Sequence, residues 1–194
     1  IVYIPHFMSW VVAASIFSMI LSPTSAGLVN DVLIKLHLIT DNIYFLGDQK
    51  WWRFSYYIIN VWKDTGWGTI IFMATLAGIS PELYEAASMD GANRFQKMIY
   101  ITLPALNNTI VTVLVLNLAK VMNLFESVFV LQNDAVIKVS DVLQTYIYTQ
   151  TFNSGAIPDY GYTTAVGMFS SIISCILVLV CNRVSHKTRG RGIV

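Results

Sequence analysis

"YEAASMDGANRFQKMIYITLP", residues 84 to 104, sets two acids, two bases and a glycine between two long apolar runs. Just upstream, Ser80 is a good N-cap, Pro81 suits a first helical position, and Glu82 favours the positive end of a helix dipole. A helix is therefore expected to start at 81, run through "PELYEAASM" and stop at "DG", where Gly91 can take the left-handed conformation that ends helices. Asn93 then caps a second short helix, "RFQKMIY", expected to end before Pro104 because proline disfavours helical backbone in the residue before it. Two short helices joined by a tight turn make a compact knuckle, too polar to lie in hydrocarbon.

The rest of the chain explains why hydrocarbon is at issue. Of 194 residues, 55% are hydrophobic and 12% charged, the mean hydropathy is +0.60, and a soluble domain carries roughly 25% charge. This is the composition of a membrane protein, in which each span needs about 20 apolar residues. Four candidate spans cover about Tyr3 to Leu21, Ser55 to Ile79, Thr109 to Val130 and Tyr162 to Cys181. All are read as helices, because an open chain in hydrocarbon can satisfy its backbone groups in no other way. Residue 1 is Ile, the apolar run is already under way there, and no signal peptide is legible, so earlier spans are expected upstream.

Orientation follows the basic residues. Arg183, Lys187, Arg189 and Arg191 follow the fourth span, and Arg94 and Lys97 lie in the knuckle. These are expected to face the cytoplasm, against Lys35, Lys50, Arg53 and Lys138 on the other side. The outer connections carry helical patterns of their own. Leu28, Val32, Leu33 and Leu36 mark a short surface helix, followed by the interfacial cluster "KWWRFSYY". "SDVLQTYIYTQTF" offers Ser140 or Asp141 as the cap of another, which "NSGAIPDYG" ends.

Polar residues within the spans raise a functional question. Asn117, Lys120, Asn123 and Glu126 recur every three residues, a slowly drifting stripe down one side of a continuous helix. A central lysine costs roughly 2.5 to 3.5 kcal/mol on the mildest insertion scale, so the stripe faces either partner helices or a wet path. Lys63 and Asp64 are adjacent, do not face one another on a helix, and each needs its own partner. Trp62, Gly66 and Trp67 around them suggest a kink or a level close to the outer interface. Gly161 with Ala165, and Gly167 with Ser171, are small residues four apart that suit close helix packing.

Catalytic constellations are missing from the sequence. No glycine precedes a Lys-Ser or Lys-Thr pair at P-loop distance, so ATP, if used, binds to another subunit. His6, His37 and His186 are scattered, which leaves no metal cluster. Cys175 and Cys181 are six apart, about 240° around one helix, and are read as apolar fillers.

The knuckle carries a resemblance. Glu85-Ala86-Ala87, three residues, Gly91, nine residues, Ile101, one residue and Leu103-Pro104 reproduce the spacing of the EAA loop of permease subunits of bacterial binding-protein-dependent ABC importers. Asp90, Ala92 and Phe95 suit the sugar-importer branch, and "YIPHFMSWVV", "NVWKDTGWGTIIFMATLAGISPELYEAASMDGA" and "SDVLQTYIYTQTF" look like permeases related to the maltose importer.

That resemblance implies an all-α membrane protein, a polytopic helical bundle of the type I ABC importer permease fold. Residues 1–194 would be the C-terminal part of its transmembrane domain, with about four spans, and 80–104 its cytoplasmic coupling loop. It implies that Leu83, Glu85, Ala86, Ala87, Asp90, Gly91, Ala92, Phe95, Leu103 and Pro104 serve ATPase coupling, with Leu83 and Phe95 as apolar anchors. It also lends weight to Asn117, Lys120, Met122, Asn123, Phe125 and Glu126 as a substrate path. The partners implied are a homologous second permease, two ATPase subunits holding ATP and Mg, an extracellular solute-binding protein and a carbohydrate, with no nucleic acid. The place implied is the bacterial cytoplasmic membrane, crossed several times, with the C-terminus inside and no catalysis or cofactor in this chain. A permease for another solute such as glycerol phosphate, or a secondary transporter, is the alternative.

Overall fold

A computed structural model describes residues 2–24, 26–153 and 159–189, excluding the side chains of 184 and 186–189. Arg191 and most of the "NSGAIPDYG" turn therefore lie outside the described residues, as do the side chains of Lys187 and Arg189. Every regular element among the described residues is helical. A 3₁₀ turn, Ile4–Phe7, is followed by α1 (Trp10–Ile20), α2 (Leu28–Lys35), α3 (Gln49–Ala77) and α4 (Pro81–Met89). Then come α5 (Arg94–Lys97), a π-helical turn (Met98–Thr102), α6 (Leu103–Lys120), α7 (Phe125–Leu131), α8 (Ile137–Ser140), α9 (Leu143–Phe152) and α10 (Tyr160–Arg189). The chain forms two compact units, Ile1–Gly66 with Met122–Ile173 and Trp67–Val121 with Ser174–Val194.

Among the described residues, two helical runs are long and apolar enough to cross a membrane, Arg94–Lys120 with 27 residues and Tyr160–Arg183 with 24. The expected second span overlaps α3 from Ser55 to Ala77; the 29 residues of α3 have the length, while Gln49, Lys50, Arg53, Lys63 and Asp64 make it more polar than the other two runs. The expected first span is not one helix. Met8 is extended at ψ 140°, the Ser9 side chain caps α1 by accepting from Val12 N at 3.3 Å, and α1 has only 11 residues. At 1.5 Å per residue this is roughly half a bilayer core. The third expected span also divides, since α6 stops at Lys120 and α7 starts at Phe125.

In the first unit, Ala14, Leu46, Trp52, Tyr56, Ile59, Val128, Leu131 and Val136 form a buried cluster. Polar bolts run through it. Trp52 Nε1 donates to Leu131 O at 3.1 Å, the Tyr56 hydroxyl meets Ser127 Oγ at 2.9 Å, and Asn133 Nδ2 donates to Leu46 O at 2.7 Å. Trp52 and Tyr56 stack with centroids 5.2 Å apart, and Phe17 of α1 meets Trp62 of α3 edge-on at 5.1 Å. α3 runs unbroken through Gly66, where a Cβ would fall 2.4 Å from Val2 O. Gly66 therefore serves a close backbone approach.

The loop around α2 is organised by a residue that the apolar spacing does not reveal. Asn30 is fully buried, donates to Ser22 O and Ile43 O at 2.8 and 2.9 Å, and accepts from Ile43 N at 2.9 Å. The cap of α9 is Val142, one residue past Asp141 and two past Ser140. Thr145 Oγ1 accepts from Val142 N at 2.9 Å and donates to Asp141 Oδ1 at 2.5 Å. On α10 the buried positions among the described side chains are Thr163, Ser170 and Ser185, whereas Gly161 is exposed and a Cβ on Gly167 would meet nothing within 4 Å. Among the described residues, neither glycine of these small-residue pairs sits against a neighbouring helix.

Replacing Asn30 by Leu leaves Ile43 N–H and two carbonyls without their partner, a loss of about 2 to 4 kcal/mol. The Asn30→Leu protein is expected to melt several degrees lower in detergent and to be clipped faster between 22 and 43.

Candidate functional site

The knuckle forms as its local signals require, with one exception. α4 starts at Pro81, after Ser80 in extended backbone, although the Ser80 side chain makes no capping bond. At the other end Gly91 holds φ +78°, so Gly91 N–H reaches Ser88 O at 3.1 Å and Ala92 N–H reaches Ala87 O at 2.9 Å. These two bonds are a Schellman closure. Asn93 and Gln96 form a reciprocal capping box at 2.9 and 2.8 Å. The exception is Pro104. The second helix does not end before it, because α5, the π turn and α6 make one run from Arg94 to Lys120. A proline inside an α-helix clashes with the carbonyl four residues back and offers no N–H. The wider turn at Met98–Thr102 sits immediately ahead of it and lets the helix pass.

The outer face of the knuckle is apolar and uncovered. Leu83, Met89 and Phe95 are 53%, 89% and 65% exposed. Glu85, Ala86 and Asp90 are exposed beside them, whereas Ala87 and Ala92 are half-buried on the side of the closure. Met89 was not among the residues expected from the motif, although it lies three residues from Ala86 on the same helical face. Leu103 and Pro104 are exposed at the start of α6.

The polar stripe is not one helical face. Asn117 and Lys120 are exposed in the last turn of α6, in one unit, whereas Met122, Asn123, Phe125 and Glu126 lie in the other, after the helix has ended. Spacing by three therefore does not align them. Asn123 Oδ1 accepts from Gln144 Nε2 at 3.3 Å. Phe125 stacks on Phe129 at 5.0 Å, and Tyr148 of α9 lies 5.4 Å from Phe125, 4.9 Å from Phe129 and 5.3 Å from Phe152. The sequence reading missed the α9 contribution, although Gln144, Tyr148 and Phe152 stand at helical spacing. Nearby, a hydrogen bond to Tyr162 pushes the Tyr146 phenol above its usual value.

Lys63 and Asp64 diverge, as adjacent helical residues must. Lys63 is buried with Nζ 3.5 Å from His6 O and 5.0 Å from the Trp10 ring, while the largely exposed Asp64 carboxylate lies 4.0 Å from His6 Nδ1. Among the described residues no group of His, Cys, Asp and Glu is placed to hold a metal.

Residues 1–190 match the family described as the binding-protein-dependent transport system inner membrane component. The chain belongs to that family. Protein LplB of Bacillus subtilis is 39% identical over 193 residues, which are 99% of this chain and 59% of LplB. The polygalacturonan/rhamnogalacturonan transport system permease protein YteP of the same bacterium is 39% identical over 194 residues, 100% of this chain and 59% of YteP. The chain also superposes on a chain of a bacterial alginate ABC transporter, solved with a periplasmic protein carrying an alginate pentasaccharide, with TM-score 0.91 and 36% identity, covering 100% of this chain and 65% of that one. It thus spans about three fifths of the length of the curated relatives.

These likenesses establish the helical ABC importer permease fold and an inner membrane transport component. In that fold the knuckle is a protrusion held by a left-handed glycine. Gly91→Ala puts a Cβ at φ +78° and is expected to cost about 1 kcal/mol. The measurement is amide exchange at Ala92, which should quicken about fivefold, with Gly91→Asn closer to the parent.

Proposed function

We propose that this chain is part of the permease subunit of an ATP-driven importer, forming with a second, homologous permease the path for a carbohydrate. An extracellular solute-binding protein delivers the sugar, and two ATPase subunits, holding ATP and Mg, drive the cycle. The single observation that carries this reading is the geometry of 80–104, a rigid knuckle with an uncovered apolar face, in a member of the binding-protein-dependent family. Leu83 and Phe95 supply apolar anchors for a groove on the ATPase, Glu85 pairs with one of its basic residues, and Gly91 fixes the bend. The knuckle and the C-terminus then face the cytoplasm, as the basic residues beside them favour.

The cargo is an oligosaccharide or polysaccharide fragment, because YteP is named for polygalacturonan and rhamnogalacturonan and the superposed transporter for alginate. Aromatic rings with polar groups at their edges suit sugar rings, whose C–H faces stack and whose hydroxyls take hydrogen bonds. Phe125, Phe129 and Tyr148 with Asn123, Gln144 and Glu126 supply that combination. This chain performs no catalysis and holds no cofactor of its own in this scheme.

Glu85→Arg and Gly91→Pro are expected to leave the permease in the membrane and to abolish both co-purification of the ATPase subunits and receptor-stimulated ATP hydrolysis. Unaltered hydrolysis in both variants would remove the docking assignment. Asn123→Ala with Tyr148→Ala is expected to lower uptake by about tenfold or more, given about 1 kcal/mol for each lost polar or aromatic contact. ATPase association is expected to persist, and full uptake by an assembled double variant would remove the path assignment.

A further inference from the structure

The base of the knuckle is tied to the long helix by a ring of side-chain bonds. The Tyr84 hydroxyl lies 2.9 Å from Thr102 Oγ1, and Thr102 Oγ1 donates to Lys97 O at 3.5 Å. Lys97 Nζ donates to Ser88 Oγ at 2.6 Å, and Ser88 Oγ donates to Tyr84 O at 2.7 Å. The proton inventory closes, because each hydroxyl hydrogen is used once when Tyr84 donates to Thr102. Thr102 ends the π turn and Lys97 immediately precedes it, so the ring encloses the widened turn ahead of Pro104.

Along the chain, α4 is joined to its neighbours through 78–80 and through the turn at 90–93, and these bonds add a direct link from α4 to the long helix. Without that direct link, a push on α4 would be taken up by rotation in the two short connections. A π turn is a local excess of one residue that helices carry at sites of rearrangement, and here it is the part of the long helix that α4 grips.

We infer that Tyr84 and Thr102 are positioning residues that pass a displacement of α4 into the helix Met98–Lys120 through the π turn. The inference rests on the reading of the knuckle as the ATPase docking element. Neither residue belongs to the exposed docking face, since both are half-buried behind it. The bond between them is the one cross-link of the ring that joins α4 to the end of the turn nearest Pro104.

The test uses the whole importer, trapped with ATP, magnesium and orthovanadate, and reads amide exchange separately over 81–89 and 98–103. In the parent complex trapping is expected to slow or quicken exchange in both segments by about three- to tenfold. In Tyr84→Phe and Thr102→Val the 81–89 response persists and the 98–103 response is lost, with melting temperature and basal hydrolysis unchanged. Thr102→Ser, which keeps the hydroxyl, retains both responses.

A full 98–103 response in Tyr84→Phe overturns the inference, as does a Thr102→Ser variant that behaves like Thr102→Val. Should Thr102→Val fail to assemble, Tyr84→Phe decides alone, because it removes one oxygen and keeps the ring in place. Loss of the ATPases from the Tyr84→Phe complex also overturns it by placing Tyr84 in the docking contact. A parent complex with no response in 81–89 refutes the docking reading itself, and the inference falls with it.

Discussion

A proline that must be carried through a spanning helix is the constraint around which the knuckle is built. Pro104 cannot donate a backbone hydrogen bond, and its ring would strike the carbonyl of Tyr100 in a regular α-helix. Widening the preceding turn over Met98–Thr102 keeps the run from Arg94 to Lys120 continuous. Continuity has a mechanical result, since α5 is the first turn of the long helix itself, with no joint between them. The capping box at Asn93 and the left-handed Gly91 then fix α4 against that base.

The first unit is held by a different balance. Lipid tails are as apolar as leucine, so burial alone gives helices little reason to associate, and packing with hydrogen bonds supplies it. The bonds from Trp52, Tyr56 and Asn133 to Leu131 O, Ser127 Oγ and Leu46 O do so here, each linking positions more than 70 residues apart in sequence. Lys63 is accommodated similarly, by a carbonyl and an aromatic face that soften its charge.

Features fixed by one residue and its neighbours were legible in the sequence. Pro81, Gly91 and Asn93 each act within one helical turn, and all three do what their chemistry requires. The end expected before Pro104 was not found, because the bias against helix before proline is local and a change of helical type answers it. The division of the first apolar run was also hidden. Ser9 looks like an ordinary small residue in a greasy stretch, and only extended backbone at Met8 turns it into a cap. Asn30 was missed for the opposite reason, since its partners Ser22 and Ile43 are fixed by the path of the loop and leave no periodic trace. Of the candidate path, Phe125 was legible as an aromatic beside polar residues, whereas its neighbour Tyr148 comes from a different helix.

The interruption at 121–124 changes what makes those residues notable. A stripe with a period of three on one helix would have been an argument from alignment, and α6 ends before Asn123 and Glu126 are reached. Ending there leaves the last carbonyls of α6 and the first N–H groups of α7 without intrahelical partners. Leu124, at φ −88° and ψ 46°, offers no side-chain cap. Within membrane depth such backbone is tolerated only where protein covers it or where it borders a water-filled cavity. Such a break is therefore costly against lipid. Asn123 and Glu126 gain their interest from this backbone requirement, with the aromatic rings of Phe125, Phe129 and Tyr148 forming the apolar counterpart on the same unit.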